Sequence, residues 1–202
     1  MQQLIQNLID AGYLKTPEII RAWRKIDRAD FIPDDVKKYA YENTPLPIGN
    51  GQTISQPQVV ALMLELLQPK RGEKILDVGS GSGWQSALLA EIVGETGSVT
   101  AIERIPELFA LGKNNLEKYN FHNIESIEGD GTALIKQAGY YDKIIVAAAS
   151  DSVPEVLKSE LKVGGTMIIP IKENIFVLKK IDSEHFLIKE FPGFLFVPLI
   201  RD

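Results

Sequence analysis

The short apolar stretch Lys74–Val78 runs directly into Gly79-Ser80-Gly81-Ser82-Gly83. An apolar run of this length, bounded by glycines, predicts a buried strand that turns sharply into the next element. The rhythm that follows restricts the fold further. Residues 84–93 have helical spacing, 98–102 form a strand, 106–119 a helix opening on proline, 124–127 a strand, 142–147 a strand, 153–161 a helix and 165–170 a strand. This alternation predicts an α/β fold, a doubly wound, mostly parallel sheet with helices on both faces. Residues 175–181, 186–188 and 194–199 look like strands with no helix between them. They are expected as an antiparallel edge on the same sheet.

Upstream the chain reads as an N-terminal helical extension. Thr16-Pro17-Glu18 has the pattern of a helix start: a capping hydroxyl, a proline where no N–H is needed, then an acid in the first turn. Ile19, Trp23 and Ile26 follow at helical spacing, and Phe31-Ile32-Pro33 breaks it. Trp23 and Phe31 are expected in the core. Residues 41–55, with two prolines and two glycines, read as a long ordered loop of the kind that often carries function. Val59, Val60, Met63, Leu66 and Leu67 then mark one face of a helix that ends before Pro69. With 202 residues, 45% of them apolar, the chain suits one domain: helices and a loop over 1–70, and a ligand-binding sheet over 71–202.

Composition narrows the chemistry. There is no cysteine, which excludes a disulfide scaffold, a thiolate zinc site and a cysteine nucleophile. His122 and His185 are far apart and form no ligand spacing, so no metal is expected. His122 reads as part of a surface turn. The net charge of −5 comes with no basic block, so no nucleic-acid partner is expected. No apolar stretch approaches a membrane span, and Met1-Gln2-Gln3 does not open a signal peptide. A cytoplasmic monomer is the expectation.

In an open α/β sheet, ligands bind beyond the C-terminal ends of the strands, near the switch in strand order. The glycines at 79, 81 and 83 permit close backbone approach there, and free N–H groups at a helix start favour a polar or anionic ligand. Glu103 ends the next strand, 20 residues after Gly83, where an acid accepts hydrogen bonds from a ribose diol. The ligand therefore has an adenosine-like part. The spacing is G-x-G-x-G followed by bulky Trp84, unlike the G-x-G-x-x-G of dinucleotide folds, and there is no P-loop. Asp77-x-Gly79-x-Gly81-x-Gly83 resembles the first motif of the Rossmann-like methyltransferases, whose loop lies against the methionine part of S-adenosylmethionine. Asp130-Gly131 follows the third strand, where that class places an acid near the adenine amine. A turn pair is the alternative reading of Asp130-Gly131.

The segment Pro45-Leu46-Pro47-Ile48-Gly49-Asn50-Gly51-Gln52-Thr53-Ile54-Ser55-Gln56-Pro57 closely resembles the signature of the protein-L-isoaspartate O-methyltransferases. The resemblance continues through 76–85, Ile102-Glu103-Arg104, Gly129-Asp130-Gly131, 141–149, Gly164-Gly165 to Pro170, and Phe196-Val197-Pro198-Leu199. It implies methylation of the α-carboxyl of L-isoaspartyl residues in damaged proteins and peptides, an ester that cyclises to a succinimide and can reopen to normal aspartate. Three positions depart from the pattern: Gln58 stands where relatives often have His or Tyr, Leu195 where bacterial relatives often have Arg, and Trp84 where Tyr is common.

The resemblance assigns the active-site role to Ser55, with Thr53 beside it. It implies cofactor contacts from Asp77, Gly79, Ser80, Gly81, Gly83, Glu103, Arg104, Asp130 and Gly131. Gln52, Ile54, Gln58, Val197 and Pro198 are the candidates for contacting substrate, the last two as a strand edge able to hold an extended peptide. Ser55-Gln56-Pro57-Gln58 also fits a helix capping box, S-x-x-Q, and both roles for Ser55 are compatible. A methyltransferase of the same fold with another substrate, and a non-catalytic adenosine-ligand module, share the glycine loop. Only residues 45–57 and Phe196-Val197-Pro198-Leu199 separate isoaspartyl repair from these.

Overall fold

The computed structural model describes residues 1–133 and 137–199. In chain order it contains α1 (Gln2–Asp10), α2 (Pro17–Lys25), two short 3-10 turns (Arg28–Phe31 and Asp34–Tyr39), β1 (Leu46–Gly49), β2 (Gln52–Ile54) and α3 (Pro57–Leu67). The sheet region follows as β3 (Lys74–Val78), α4 (Trp84–Val93), β4 (Ser98–Glu103), α5 (Pro106–Glu117), β5 (Ile124–Glu128), β6 (Tyr141–Val146), α6 (Glu155–Glu160), β7 (Leu161–Ile171), β8 (Asn174–Lys180) and β9 (Phe186–Pro192). No described helix is long and apolar enough to cross a membrane.

Seven strands form one sheet in the order β5-β4-β3-β6-β7-β8-β9. The pairs from β5 to β7 are parallel, and β8 and β9 add antiparallel. This is the doubly wound architecture with an antiparallel edge that the alternation predicts. The chain winds outward from β3 through β4 to β5, then crosses back to place β6 on the other side of β3. The switch in strand order therefore lies between β3 and β6, and the ends of both strands open onto it.

Side-chain parity along the strands builds two apolar clusters. Ile75, Val99, Ile145 and Ile168 join residues of α1 to α5 in one. Leu76, Val78, Ile144, Val146, Met167 and Ile169 form the other, with Leu157 of α6. Burial on both faces explains why β3 and β6 read as near-continuous apolar runs. Trp23 of α2 meets Trp84 of α4 edge to face, with ring centroids 5.0 Å apart, so the N-terminal helices are bolted to the first helix after the glycine loop. Phe31 is fully buried and stacks on Tyr119, with centroids 5.6 Å apart.

Four sequence readings need correction. Residues 41–55 are not one irregular loop, because β1 and β2 pair antiparallel across Asn50-Gly51. Both turn residues have positive φ (50° and 70°), the requirement of a primed two-residue hairpin turn and a common use of Asn-Gly. The stretch 194–199 is not an edge strand. It makes a single parallel bridge, Ala149 to Pro198, beyond the end of β6, and Pro198 lacks the N–H a ladder needs. The sheet edge is β9 instead.

The capping box at Ser55 does not form. α3 starts at Pro57, Gln56 is the cap residue, and no side chain of its own caps it. Asn43 does that work from the preceding loop: its Oδ1 accepts from Gln58 N at 2.9 Å, while its Nδ2 donates to Gln58 Oε1 at 3.0 Å. Likewise Thr16 occupies the cap position of α2 but its hydroxyl donates to Glu65 Oε2 at 2.7 Å, and Glu65 Oε1 accepts from Thr16 N at 2.8 Å. A carboxylate from α3 thus engages the hydroxyl expected to cap α2 and lies beside the positive end of that helix.

Candidate active site

The turn after β3 is shaped by three glycines, at φ +79°, +50° and +86° for Gly79, Gly81 and Gly83. Side-chain-bearing residues rarely adopt such backbone angles. Gly79 N and Ser80 N both donate to Ile102 O, at 2.9 and 3.0 Å, which ties the turn to the end of β4. The three glycines do different work. A Cβ on Gly79 would face Ala147 at 3.9 Å, so this part of the loop borders open space at the switch point. A Cβ on Gly83 would lie 3.0 Å from Gly112 O and 3.1 Å from Leu116 Cγ, both in α5. Gly83 is thus a packing glycine that lets α5 cross the loop.

Glu103 is buried at the end of β4. Its Oε2 accepts from Gly81 N and its Oε1 from Ile105 N, each at 2.9 Å. Each oxygen has spent one acceptor site on the protein and retains another for a ligand hydroxyl. Asp130, after β5, is 9% exposed and accepts from Thr132 N at 2.8 Å and from Thr132 Oγ1 at 2.9 Å. The turn reading of Asp130 and its position at the site hold together. A Cβ on Gly131 would lie 2.7 Å from Val78 Cγ1, so the chain runs closely over β3 there.

Asp77 departs from expectation. It is fully buried and does not line the cavity. It shares the face of Ile75 and points at α4, where Oδ1 accepts from Gln85 Nε2 at 2.7 Å and Oδ2 from Ser86 Oγ at 2.6 Å. Burial pushes its carboxyl up to about 6, against the pull of those two donors and with a further push from the Glu103 charge. Asp77 therefore anchors the first turn of α4 from behind the loop. Gln85, which the sequence reading passed over, carries that anchor to the cavity wall.

These elements border a cleft whose empty space, open solvent at its mouth included, is about 890 Å³. The structure brings Gln52, Thr53, Ile54, Ser55, Gly79, Ser80, Gly81, Glu103, Arg104, Asp130, Gly131, Val197 and Pro198 to its walls. It leaves Asp77, Gly83 and Gln58 outside, the last because Asn43 holds it at the start of α3. Ser55 is half-buried, and its hydroxyl makes no hydrogen bond among the described residues. Gln52 and Thr53 of the hairpin border the same cleft. Val197 is held there by Ala149, whose N donates to Val197 O at 2.8 Å and whose O accepts from Leu199 N at 2.6 Å. Leu195, one of the departures, is 84% exposed and stands outside the cleft. Among the described residues no histidine or lysine lines it.

A doubly wound sheet with a glycine turn after its central strand, an acid at the end of the next, and a cleft at the switch point defines the Rossmann-like methyltransferase class. The family model for protein-L-isoaspartate(D-aspartate) O-methyltransferase matches residues 1–202, and the chain belongs to that family. A protein-L-isoaspartate O-methyltransferase of Ignicoccus hospitalis is 46% identical over 205 residues, spanning all of this chain and 97% of that one. One of Methanopyrus kandleri is 40% identical over 206 residues, spanning 100% and 91%. The Plasmodium falciparum structure assigned to the same enzyme, in complex with S-adenosyl-L-homocysteine, superposes with a TM-score of 0.88 at 25% identity, covering 99% of this chain and 98% of that one.

Proposed function

We propose that this protein transfers a methyl group from S-adenosylmethionine to the α-carboxylate of L-isoaspartyl residues in damaged proteins and peptides. The observation that carries the reading is the convergence of two independent sets of residues on one cleft: the strand-end set Gly79 to Gly81, Glu103 and Asp130, and the hairpin Gln52 to Ser55. The cleft suits the cofactor on its own geometry. Glu103 keeps one acceptor position per oxygen, and the side of the loop at Gly79 has no Cβ to fill the space before Ala147.

Glu103 is placed to hold a ribose diol and Asp130 an adenine amine, with Ile102, Ile105 and Leu108 as apolar surface and the Gly79–Gly81 backbone against the methionine part. When bound, the cofactor supplies a methyl group made electrophilic by a sulfonium. A free carboxylate, with an ordinary pKa of about 4, is already ionised near pH 7, so the protein need supply no general base. That fits walls whose described residues include no histidine or lysine. The work left to the chain is alignment, which is worth roughly 7–11 kcal/mol at best. The Ser55 hydroxyl, unengaged among the described residues, donates to the acceptor carboxylate and holds one oxygen in line. Thr53 and Gln52 guide the flanking peptide, and Val197 and Pro198 form the facing wall. Labelled cofactor with matched isoaspartyl and aspartyl peptides tests the reading. Methylation confined to the isoaspartyl peptide is expected, and equal labelling of the two would refute it.

A further inference from the structure

Arg28 opens the first 3-10 turn and is completely buried. Its Nη1 donates to Ala40 O at 2.8 Å and to Glu42 O at 3.3 Å, and its Nη2 donates to Thr44 O at 2.9 Å and to Ser55 O at 3.2 Å. Every acceptor is a backbone carbonyl, and no carboxylate among the described residues makes an ion pair with it. Its Cζ lies 5.4 Å from the centre of the Trp84 ring. Both Ser55 and Trp84 line the cleft, so the guanidinium stands one residue behind the wall on two sides.

Burial draws Arg28 down to about 10, which leaves it charged at neutral pH. An ion taken out of water with no counter-ion is costly, and protein interiors usually pair such groups. Pinning residues 40–44 to Ser55 takes N–H groups for four carbonyls, twice what an amide side chain carries, so the guanidinium that meets them brings its charge along. The geometry therefore gives two jobs to one group. The planar fork fixes the backbone that carries Ser55, and the charge acts through the wall on whatever occupies the cleft.

Building on the isoaspartyl reading, we infer that Arg28 is a positioning residue whose unpaired charge draws the anionic acceptor into the cleft and weighs against the sulfonium cofactor relative to its neutral thioether product. The same field distinguishes the acceptor carboxylate from its uncharged methyl ester. Ordinary side-chain reading misses such a residue because it touches neither ligand and bonds only to main chain.

Two variants of the full chain, Arg28→Gln and Arg28→Lys, separate fork from charge. Calorimetry with S-adenosylmethionine and with S-adenosylhomocysteine gives the ratio of their Kd values. Arg28→Gln should lower that ratio about three- to tenfold, the size expected of one partly screened charge within about 10 Å. Arg28→Lys should leave it unchanged. Arg28→Lys should raise KM for an isoaspartyl peptide about tenfold, the worth of one charge-assisted hydrogen bond at the Ser55 carbonyl, and Arg28→Gln should raise it further because the charge that draws the acceptor is also lost. A lower Tm in Arg28→Gln with an unmoved Kd ratio would reduce Arg28 to a structural clamp and overturn the inference. Should Arg28→Gln not fold, Arg28→Lys decides alone, and an unchanged peptide KM overturns the positioning role. A wild-type chain that never methylates isoaspartyl peptides would defeat the function proposed above, yet the Kd ratio would still report on the charge.

Discussion

Gly112 is the position where a one-carbon change most directly tests how this site is built. It lies in α5, where the helix crosses the glycine turn. A Cβ there would stand 2.5 Å from Gly81 O and 3.4 Å from both Gly83 N and Ser82 C. In an unobstructed helix Gly→Ala stabilises by about 1 kcal/mol. Here the obstruction is backbone, which no rotamer change relieves. Relaxing the contact to ordinary separation requires α5 or the loop to move by roughly 1 Å, and overpacking of this kind costs about 1–3 kcal/mol. The loop is held by Gly81 N donating to Glu103 and by Asn115 Nδ2 donating to Ser82 O at 3.0 Å, so the upper half of that range applies. Net destabilisation of about 1–2 kcal/mol follows, a fall in Tm of roughly 2–8 °C for a domain of this size. Movement of Gly81 also stretches its 2.9 Å bond to Glu103, and S-adenosylhomocysteine should bind about tenfold or more weakly, one charge-assisted hydrogen bond's worth. Thermal melts with and without the ligand, with calorimetry, measure both. A Tm at or above wild type with unaltered affinity would show that α5 does not constrain the loop, and the reasoning would fail.

Ser55→Ala should lower kcat on an isoaspartyl peptide by tenfold or more while leaving cofactor affinity within error, as one lost hydroxyl donor to a charged oxygen implies; steady-state rates beside calorimetry separate the two. Glu103→Gln places an amide NH2 against Gly81 N or Ile105 N and should weaken S-adenosylhomocysteine by about 2–3 kcal/mol in calorimetry; wild-type affinity would remove Glu103 from the cofactor site. Asp77 has a raised folded pKa, so its favourable contribution is full below its unfolded value near 4 and is lost as pH rises through about 6. Denaturant melts of wild type relative to Asp77→Asn should lose roughly 3 kcal/mol between pH 4 and pH 7, and a flat difference would contradict burial as the cause.

The parallel sheet was readable because β3 and β6 are apolar on both faces and the strand ends carry Gly79, Glu103 and Asp130, each informative within its own few residues. Parity could also have corrected Asp77, since Ile75 and Asp77 must share a face. The hairpin escaped notice because β1 and β2 have only four and three residues and Pro47 interrupts the pattern, although Asn50-Gly51 signalled a tight turn. Other misses had no local signal. Asn43 supplants Ser55 as the cap of α3 from the preceding loop. Arg28 bonds to carbonyls, which every residue type provides equally. Gly112 is required by backbone that meets it only after folding. In each, the partner is chosen by tertiary approach and not by neighbouring sequence.

The hairpin that presents Ser55 belongs to the first third of the chain, and Val197 and Pro198 belong to its last few described residues. The cleft therefore does not exist on any partly synthesised chain: its two walls meet only after the intervening sheet has formed. Acceptor binding becomes a report on completed folding. The later wall is held to Ala149 by two hydrogen bonds. Local opening there costs far less than global unfolding, so on heating or in mild denaturant this protein should lose its methyl acceptor before it loses its sheet.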